Sequence, residues 1–304
     1  MSAHQVMWDE STDRTIEVFL TSALIATAAM TPERGEARMT TVEALVQGYY
    51  GRSDLLQRIE ARLRKAGVDP QKPGFRDLHP FDQLHGLGIL ATEEHAARAS
   101  VRAGMQVLDL GSGLGGSSRY LAAVCGCRVS AIDLTPEFVE LARVLTARCG
   151  LADSIDYRQA SALALPFEDA CFDHVWCHNV TMNIADRTTL AREVARVLRR
   201  QGRFSCVETA QGPGGPPIFP LPWAKDPSAS CLATPEAMRA AVEQAGLRIL
   251  EQINFAAEVA KRGEPPHQAN DVVMGDDFEQ RRANVMAGLR EQRLVDQLIV
   301  AEKP

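Results

Sequence analysis

Two carboxylates and a group of glycines lie close together in residues 105–134. Asp109 stands two residues before Gly111, Gly113 follows, and Asp133 lies 22 residues after Gly111. Glycines let a backbone turn sharply and come close to a ligand, because no Cβ intervenes. A carboxylate at the end of the next strand can accept both hydroxyls of an adenosine ribose. This spacing predicts a site for an adenosine-containing cofactor.

The charge of Asp109 favours one cofactor over another. Gly111, Gly113 and Gly116 also satisfy the dinucleotide pattern, but a carboxylate at position 109 would repel a pyrophosphate. S-adenosylmethionine has an ammonium group at that end and no phosphate, so Asp109 favours it. The alternative is that Asp109 only caps the glycine turn.

A second set of polar residues follows the apolar run Phe172–Cys177. His178, Asn179, Met182 and Asn183 come just after this predicted strand. In an open α/β sheet, ligands bind at the carboxyl ends of the strands. We therefore expect His178 and Asn179 to act in catalysis, and Met182 and Asn183 to contact the substrate.

Four residues that precede the glycine cluster in the sequence are further candidates for the site. Tyr49 and Tyr50 could turn a ring face toward a cationic sulfonium, or they could be core residues. We place Tyr49 beside the cofactor and Tyr50 beside the acceptor, where Tyr50 is also a catalytic candidate. Asp82 and His85 lie in a glycine-containing segment, 78–97, that is expected to lie over the strand ends. Both are predicted to contact the substrate, and His85 is also a candidate catalytic base, with a purely structural role as its alternative.

Apolar runs alternate with helical patterns along most of the chain. This alternation is typical of an α/β fold, a Rossmann-like sheet of seven strands with helices on both faces. The predicted strands are Val107–Leu110, Val129–Ile132, Ile155–Arg158, Phe172–Cys177, Arg203–Val207, Leu247–Ile253 and Leu294–Ala301.

The domain organisation follows from the same reading. Residues 1–45 are predicted to be a helical appendage for packing or oligomerisation, and residues 46–304 the main domain. Cap or loop segments are expected at 46–100, 211–232 and 255–292. Five prolines and three glycines exclude regular structure from Gln211–Asp226, so this loop, with Trp223, is expected to cover the substrate.

Composition excludes several classes of protein. A net charge of −6 argues against a nucleic-acid binder, and the longest apolar stretch, Val18–Met30, is too short to span a bilayer. Seven cysteines lack paired spacing, and no histidine pair completes a metal site. We expect a cytoplasmic protein without metal, membrane or nucleic-acid partners that acts on a small molecule.

Together the motifs resemble class I S-adenosylmethionine-dependent methyltransferases, in particular the sarcosine/dimethylglycine N-methyltransferase branch. The resemblance runs from about Val46 to the C-terminus and rests on LDLGSGLGG (108–116), CRVSAIDLTPEF (127–138), LPFEDACFDHVW (165–176), MNIADR (182–187), PLPWAKDPSAS (220–230) and the segment 274–293. It implies cofactor contacts from Asp109, Gly111, Gly113 and Asp133, from Ser161 and Ala162 to the adenine, and from the segment after the fourth strand, where we name Asn179. Further predicted cofactor contacts are Ser112, Leu134 and Tyr49, and further predicted substrate contacts are Trp223 and Asp271.

The departures from the family concern the acceptor. Ser161 replaces a common acidic residue, His178-Asn179 replaces Gln-His, and Asp271 stands where relatives have a histidine. An amine acceptor needs a proton acceptor, whereas a thioether needs none. The lost histidine at position 179 therefore favours S-methylation of a methionine-like thioether, although His178 or His85 could serve as the base.

Other functions stay open at this point. One is N-methylation of glycine, sarcosine or dimethylglycine toward betaine, and another is methylation of a larger secondary metabolite. A non-catalytic cofactor-binding subunit and a nicotinamide-dependent oxidoreductase are the alternatives from other classes. A homodimer or higher homo-oligomer is expected.

Overall fold

A computed structural model of the chain describes residue 44, residues 54–264, residue 266 and residues 268–304. Its strands are β1 (Gln106–Leu110), β2 (Arg128–Asp133), β3 (Ile155–Gln159), β4 (Phe172–His178), β5 (Leu198–Gln211), β6 (Arg248–Asn254) and β7 (Leu294–Glu302). These seven strands form one mixed sheet in the order β3-β2-β1-β4-β5-β7-β6. Strands β1 to β5 run parallel to one another, and β7 is antiparallel to β5 and β6.

Each predicted strand is present, and the predicted fold class is confirmed. The central strands β1 and β4 are buried on both faces because helices cover the sheet from both sides. Strand β5 starts earlier than predicted, at Leu198, because an irregular register between β4 and β5 extends the pairing backward.

Helices lie on both faces of the sheet. The helices are α1 (Leu55–Lys65), α2 (His79–Asp82), α3 (Gly88–Ala99), α4 (Gly116–Ala123), α5 (Pro136–Arg148), α6 (Arg187–Val197), α7 (Pro235–Gln244), α8 (Phe255–Ala260), α9 (Asp271–Met274) and α10 (Phe278–Arg290). Helices α6 and α7 pack on one face against Leu108 and Val175, while α3, α4 and α5 pack on the other against Val107 and Val129.

The pairing register brings three strand ends together. Leu110 at the end of β1 lies opposite Ile132 of β2 and Cys177 of β4. The residues that follow, namely the glycine turn, Asp133 and His178, therefore meet at one edge of the sheet. This edge is the one at which the sequence places the ligand.

Helix α8 was not predicted. It forms because Phe255 and Val259 are buried against β7 and α3, and Asn254 caps it by accepting a hydrogen bond from the N–H of Ala257.

The predicted appendage, 1–45, lies outside the described residues apart from Ala44. Tyr49 and Tyr50 also lie outside them. Among the helices that the structure describes, none is long and apolar enough to cross a membrane.

Candidate active site

A cavity of about 290 Å³ lies at the carboxyl ends of β1, β2 and β4. It brings together twelve of the residues that the sequence singled out. They are Asp82, His85, Gly111, Ser112, Gly113, Asp133, Leu134, Ser161, Ala162, His178, Asn179 and Asn183.

The glycine turn is in close contact with the segment after β4. Gly111 has φ +68°, and a Cβ at this position would lie 2.4 Å from Cγ2 of Val180. The segment is itself held by the N–H of Asn179, which donates to the carbonyl of Val207 at 2.8 Å. Only glycine allows these two walls of the cavity to approach this closely.

Asp133 is positioned by two backbone donors. Its Oδ2 accepts from the N–H of Gly113 at 2.8 Å, and its Oδ1 accepts from the N–H of Thr135 at 2.9 Å. Burial raises the pKa of this carboxyl, and the two hydrogen bonds act in the opposite direction. The carboxylate thus links the glycine turn to the end of β2 and lines the cavity, as the ribose prediction requires.

Asp109, predicted to meet the ammonium group of the cofactor, lies behind the cavity wall. Its side chain is buried and does not line the cavity, and its Oδ2 accepts a hydrogen bond from the hydroxyl of Ser118 at 2.5 Å. Burial and the nearby charge of Asp133 raise its pKa to about 7. Its local contacts agree with the alternative, in which Asp109 stabilises the turn into α4 and does not face an ammonium group.

Asp82, a predicted substrate contact, is also engaged by neighbouring side chains. It lies at the cavity wall, but Arg119 donates to its Oδ2 at 2.8 Å and Gln83 donates to its Oδ1 at 2.9 Å. Arg119 and Asp82 form a buried ion pair. The charge of this carboxylate is therefore neutralised inside the protein, and it holds the segment around α2 against the glycine turn.

Three predicted substrate residues lie away from the cavity. Met182 and Trp223 are buried together in a cluster with Leu294, and the indole N–H of Trp223 donates to Ser230 at 3.1 Å. Asp271 pairs with Arg62. The proline-rich loop folds into its own small core, so Trp223 packs inward and does not cover the ligand.

Asn183 lines the cavity and also makes structural hydrogen bonds. Its side-chain amide donates to the carbonyls of Trp223 and Ala229, at 3.1 and 2.9 Å. It thereby ties the loop to the segment after β4.

Two histidines meet in the cavity. The rings of His85 and His178 are stacked, with centroids 3.8 Å apart and planes 10° apart. Burial lowers the pKa of His85 to about 4 and lowers that of His178 well below its usual value. Both rings are therefore neutral near pH 7.

Sequence reasoning missed the polar chain behind His178. His95 Nδ1 lies 3.4 Å from His178 Nδ1, and Ser205 Oγ lies 2.7 Å from His95 Nε2 and 2.8 Å from His174 Nε2. Burial also lowers the pKa of His95, and that of His174 to about 3. The available signal was polar residues at apolar positions, His95 on the buried face of α3 and His174 inside β4.

Two polar atoms of the cavity wall lack a partner among the described residues. They are the buried Oγ of Ser112 and Oδ1 of Asn179. Buried polar atoms without a hydrogen bond are costly, and they mark places where a ligand can supply the missing bond. No lysine or arginine belongs to the described lining of the cavity.

Residues 108–206 match the protein family described as "Methyltransferase domain". The chain is 37% identical over 105 residues to a sarcosine/dimethylglycine N-methyltransferase of Halorhodospira halochloris, which covers 34% of this chain and 38% of the relative. It is 34% identical over 132 residues to methyltransferase GfsG of Streptomyces halstedii, which covers 43% and 48%. The chain thus spans less than half the length of either relative.

Solved structures share the fold. A geranyl diphosphate C-methyltransferase from Streptomyces coelicolor, solved with Mg²⁺, geranyl diphosphate and S-adenosyl-L-homocysteine, has a TM-score of 0.61 at 18% identity, covering 88% of this chain and all of that one. A putative sarcosine dimethylglycine methyltransferase from Galdieria sulphuraria has a TM-score of 0.53 at 21% identity, covering 71% and 83%. The family match confirms the predicted methyltransferase resemblance for residues 108–206.

Proposed function

We propose that this chain, whose residues 108–206 form a methyltransferase domain, transfers a methyl group from S-adenosylmethionine to the hydroxyl of an acceptor without a net negative charge. The observation that carries the proposal is the cavity at the strand ends. It combines a glycine turn, a carboxylate held at the end of β2 and two unpartnered polar atoms.

The cavity wall fits the methyl donor. Asp133 offers a carboxylate for the two ribose hydroxyls, and Ser161 with Ala162 lies where the adenine is expected. Ser112 Oγ and Asn179 Oδ1 can take hydrogen bonds at the amino-acid end, where a dinucleotide would bring phosphate. S-adenosylmethionine supplies an electrophilic methyl carbon on a positively charged sulfur.

The charges of the lining support an uncharged acceptor. The donor already brings one carboxylate to this lining, and a second carboxylate or a phosphate on the acceptor would find neither lysine nor arginine beside it. His85 and His178 are neutral near pH 7, because burial lowers the pKa of both. Leu84, Val180 and Met274 add apolar surface. A hydroxylated, weakly polar metabolite suits this wall better than an amino-acid zwitterion.

Methylation of a thioether is the second candidate. A thioether is never protonated near neutral pH, so it needs no proton acceptor and is compatible with neutral histidines. Methionine, glycine, sarcosine and dimethylglycine would each bring a second carboxylate beside that of the donor, and the described lining offers no cation for it. We therefore rank the amino-acid acceptors below a hydroxylated one.

The test separates cofactor binding from transfer. Calorimetry measures binding of S-adenosylmethionine and S-adenosylhomocysteine, and methyl-labelled donor then reports transfer to a panel of phenols and aliphatic alcohols, methionine, sarcosine and dimethylglycine. We expect binding of both nucleosides and transfer to a hydroxylated acceptor. Transfer to the amino acids alone would overturn the acceptor assignment, and binding without any transfer would favour a non-catalytic subunit.

Assembly and location belong to the same proposal. We propose a homodimer or higher oligomer that acts in the cytoplasm on a small molecule, without nucleic acid or membrane. Light scattering after gel filtration gives the mass of the assembly, and a mass of one chain, 33.2 kDa, would contradict the oligomer.

A further inference from the structure

We infer that His178 presents an Nε2–H donor to the cavity, and that this donor holds the ionised hydroxyl of a phenol or enol acceptor. The inference rests on the proposed function, because it names the class of hydroxyl that the site methylates and a residue that holds it. It is carried by the buried polar chain behind His178, in which one arrangement of the hydrogens gives each of them an acceptor.

The histidines of this chain are neutral. Burial lowers the pKa of His174 to about 3 and lowers the pKa values of His95 and His178 well below 6.5, so each ring carries one hydrogen near pH 7. Oγ of Ser205 lies 2.8 Å from Nε2 of His174 and 2.7 Å from Nε2 of His95. Nδ1 of His174 is buried and has no partner among the described residues. A hydrogen on that atom would be unpaired.

This inner end sets the direction of the first two hydrogen bonds. An unpaired buried hydrogen is costly, so His174 carries its hydrogen on Nε2 and donates to Ser205. The hydroxyl of Ser205 has one hydrogen, and the acceptor that the described residues leave for it is Nε2 of His95. Ser205 therefore donates to His95. If His95 also donated to Ser205, the hydrogen of this fully buried hydroxyl would lack an acceptor.

The direction then passes to the cavity. His95 accepts at Nε2, so its hydrogen is on Nδ1, 3.4 Å from Nδ1 of His178. His178 must accept at that atom, and its own hydrogen is therefore on Nε2. Its ring is held by stacking on His85, with centroids 3.8 Å apart, and by an edge contact with Phe255 at 6.2 Å. His178 lines the cavity, and Nε2–H is the group that it can offer to a ligand.

The second histidine of the cavity has no lone pair to spare. Nδ1 of His85 lies 3.2 Å from the carbonyl oxygen of Gly86, which can only accept, so this atom carries the hydrogen. Nε2 of His85 lies 3.2 Å from the hydroxyl of Thr92. Both nitrogens are thus engaged within the protein. Asp82 is likewise engaged, by its buried ion pair with Arg119.

The two remaining carboxylates of the described lining are weak bases or already assigned. Asp186 accepts at Oδ1 from the N–H of Thr189 at 2.9 Å and at Oδ2 from its hydroxyl at 2.7 Å, and these bonds lower its pKa. Asp133 is the proposed partner of the ribose hydroxyls. The described lining therefore offers no base for the acceptor proton, and the hydroxyl must be acidic enough to lose it to solvent. A phenol has a pKa of about 10, as tyrosine does, whereas an aliphatic alcohol is far less acidic.

An N–H donor suits this reaction because it raises the ionised fraction of the bound hydroxyl. Hydrogen bonds to an ionised acceptor are stronger than those to a neutral one. A phenol is neutral in solution, and its charge appears only at the reacting oxygen, beside the positively charged sulfur of the donor. A lining without lysine or arginine is compatible with such an acceptor.

Protons and electron pairs balance in this transfer. The acceptor O–H gives its proton to solvent, and the oxygen then forms its bond to the methyl carbon. The carbon–sulfur bond of the donor breaks and leaves its electron pair on sulfur. His178 keeps its hydrogen throughout, and its hydrogen bond weakens as the oxygen loses its charge.

The first experiment reads the tautomers in the ligand-free protein. Nitrogen-15 NMR of the histidine side chains at pH 7, assigned by through-bond correlation from the backbone, should show the hydrogen of His178 on Nε2 and that of His95 on Nδ1. A hydrogen on Nδ1 of His178 overturns the inference, because the cavity would then contain the lone pair of a histidine base. This test needs no variant and no cofactor.

The second experiment follows kcat/KM against pH for phenols of graded acidity and for aliphatic alcohols. The acid limb of the profile should move to lower pH as the phenol becomes more acidic, because the acceptor and not the protein ionises. A limb at one pH for every phenol, or efficient transfer to an aliphatic alcohol, overturns the inference while the proposed function stands.

Variants of His178 connect the two experiments. His178→Phe keeps a ring but removes the donor, and it should lower kcat/KM for the phenols about tenfold or more. His178→Gln keeps an amide N–H and should restore part of this loss. Equal kcat/KM in His178→Phe and the unmodified protein overturns the inference. If the unmodified protein binds no S-adenosylmethionine, the proposed function fails, and the NMR result is unaffected.

Discussion

Oδ2 of Asp133 accepts a hydrogen bond of 2.8 Å from the backbone N–H of Gly113, 20 residues earlier in the chain. This contact joins the end of β2 to the glycine turn after β1. It holds the carboxylate at the cavity wall and orients the turn at the same time. The local structure of the cavity wall therefore depends on the side chain that is also predicted to bind the ribose.

Replacing Asp133 with alanine should weaken binding of S-adenosylmethionine. Hydrogen bonds to a charged group contribute about 1.5–3 kcal/mol, so the dissociation constant should rise about 10- to 100-fold. Calorimetry measures the change, with Asp153→Ala, at an exposed carboxylate, as the control. Equal affinity of Asp133→Ala and the unmodified protein would exclude Asp133 from the ribose site.

Asp109→Asn should stabilise the protein at alkaline pH. The pKa of Asp109 is raised to about 7, above its unfolded value near 3.8, so the carboxyl lowers stability progressively as pH rises from 4 to 7. Asparagine removes this penalty and can still accept from Ser118. At pH 8 its free energy of unfolding should exceed that of the unmodified protein by a few kcal/mol, at about 1.4 kcal/mol per pKa unit. The difference should vanish near pH 4 in urea unfolding, and a constant difference would contradict this account.

Gly111→Ala and Gly67→Ala form a matched pair. Both glycines have positive φ, +68° and +78°, and alanine there costs about 1–2 kcal/mol in either case. A Cβ at position 111 would also meet Val180 at 2.4 Å, whereas nothing lies within 4 Å of one at position 67. Gly111→Ala alone should lose affinity for S-adenosylmethionine, measured by calorimetry. A loss of similar size in Gly67→Ala would point to global destabilisation instead.

Trp223→Ala should affect stability and leave the ligand site intact. Truncating a buried tryptophan costs about 3–5 kcal/mol, and Trp223 is 5% exposed and lies outside the cavity lining. Chemical unfolding should report the loss, while the affinity of the folded variant for S-adenosylmethionine should stay within about twofold. A loss of affinity for S-adenosylmethionine without a loss of stability would show that Trp223 contributes to the ligand site.

Mild acid should unfold the protein through its buried histidines. Burial lowers the pKa of four of them, to about 4 for His85 and about 3 for His174, with His95 and His178 well below 6.5. Each is more basic in the unfolded chain, so the stability that the neutral rings contribute is full above pH 6.5 and falls as the pH drops toward 4. Urea unfolding at pH 7, 6 and 5 measures this slope. It should be steeper in Asp109→Asn, because the opposing titration of Asp109 is then absent.

Local pattern was enough to predict the scaffold. An apolar run such as Val107–Leu110 is typical of a strand buried on both faces, and its position before a glycine cluster predicts the ligand at the strand end. Asp133, Gly111 and Asn179 were found for the same reason, since the carboxyl ends of parallel strands share one edge of the sheet. Their positions follow from the chain order alone.

Tertiary packing decided which polar side chains are free to act. Asp82, Asp109 and Trp223 have the residue types that a methyltransferase site would use, but Arg119, Ser118 and Ser230 engage them inside the protein. Arg119 lies 37 residues from Asp82 in sequence, and no periodicity reveals such a partner. Burial and long-range hydrogen bonds set the charge of each side chain and its access to the cavity. Both exist only once the chain has folded.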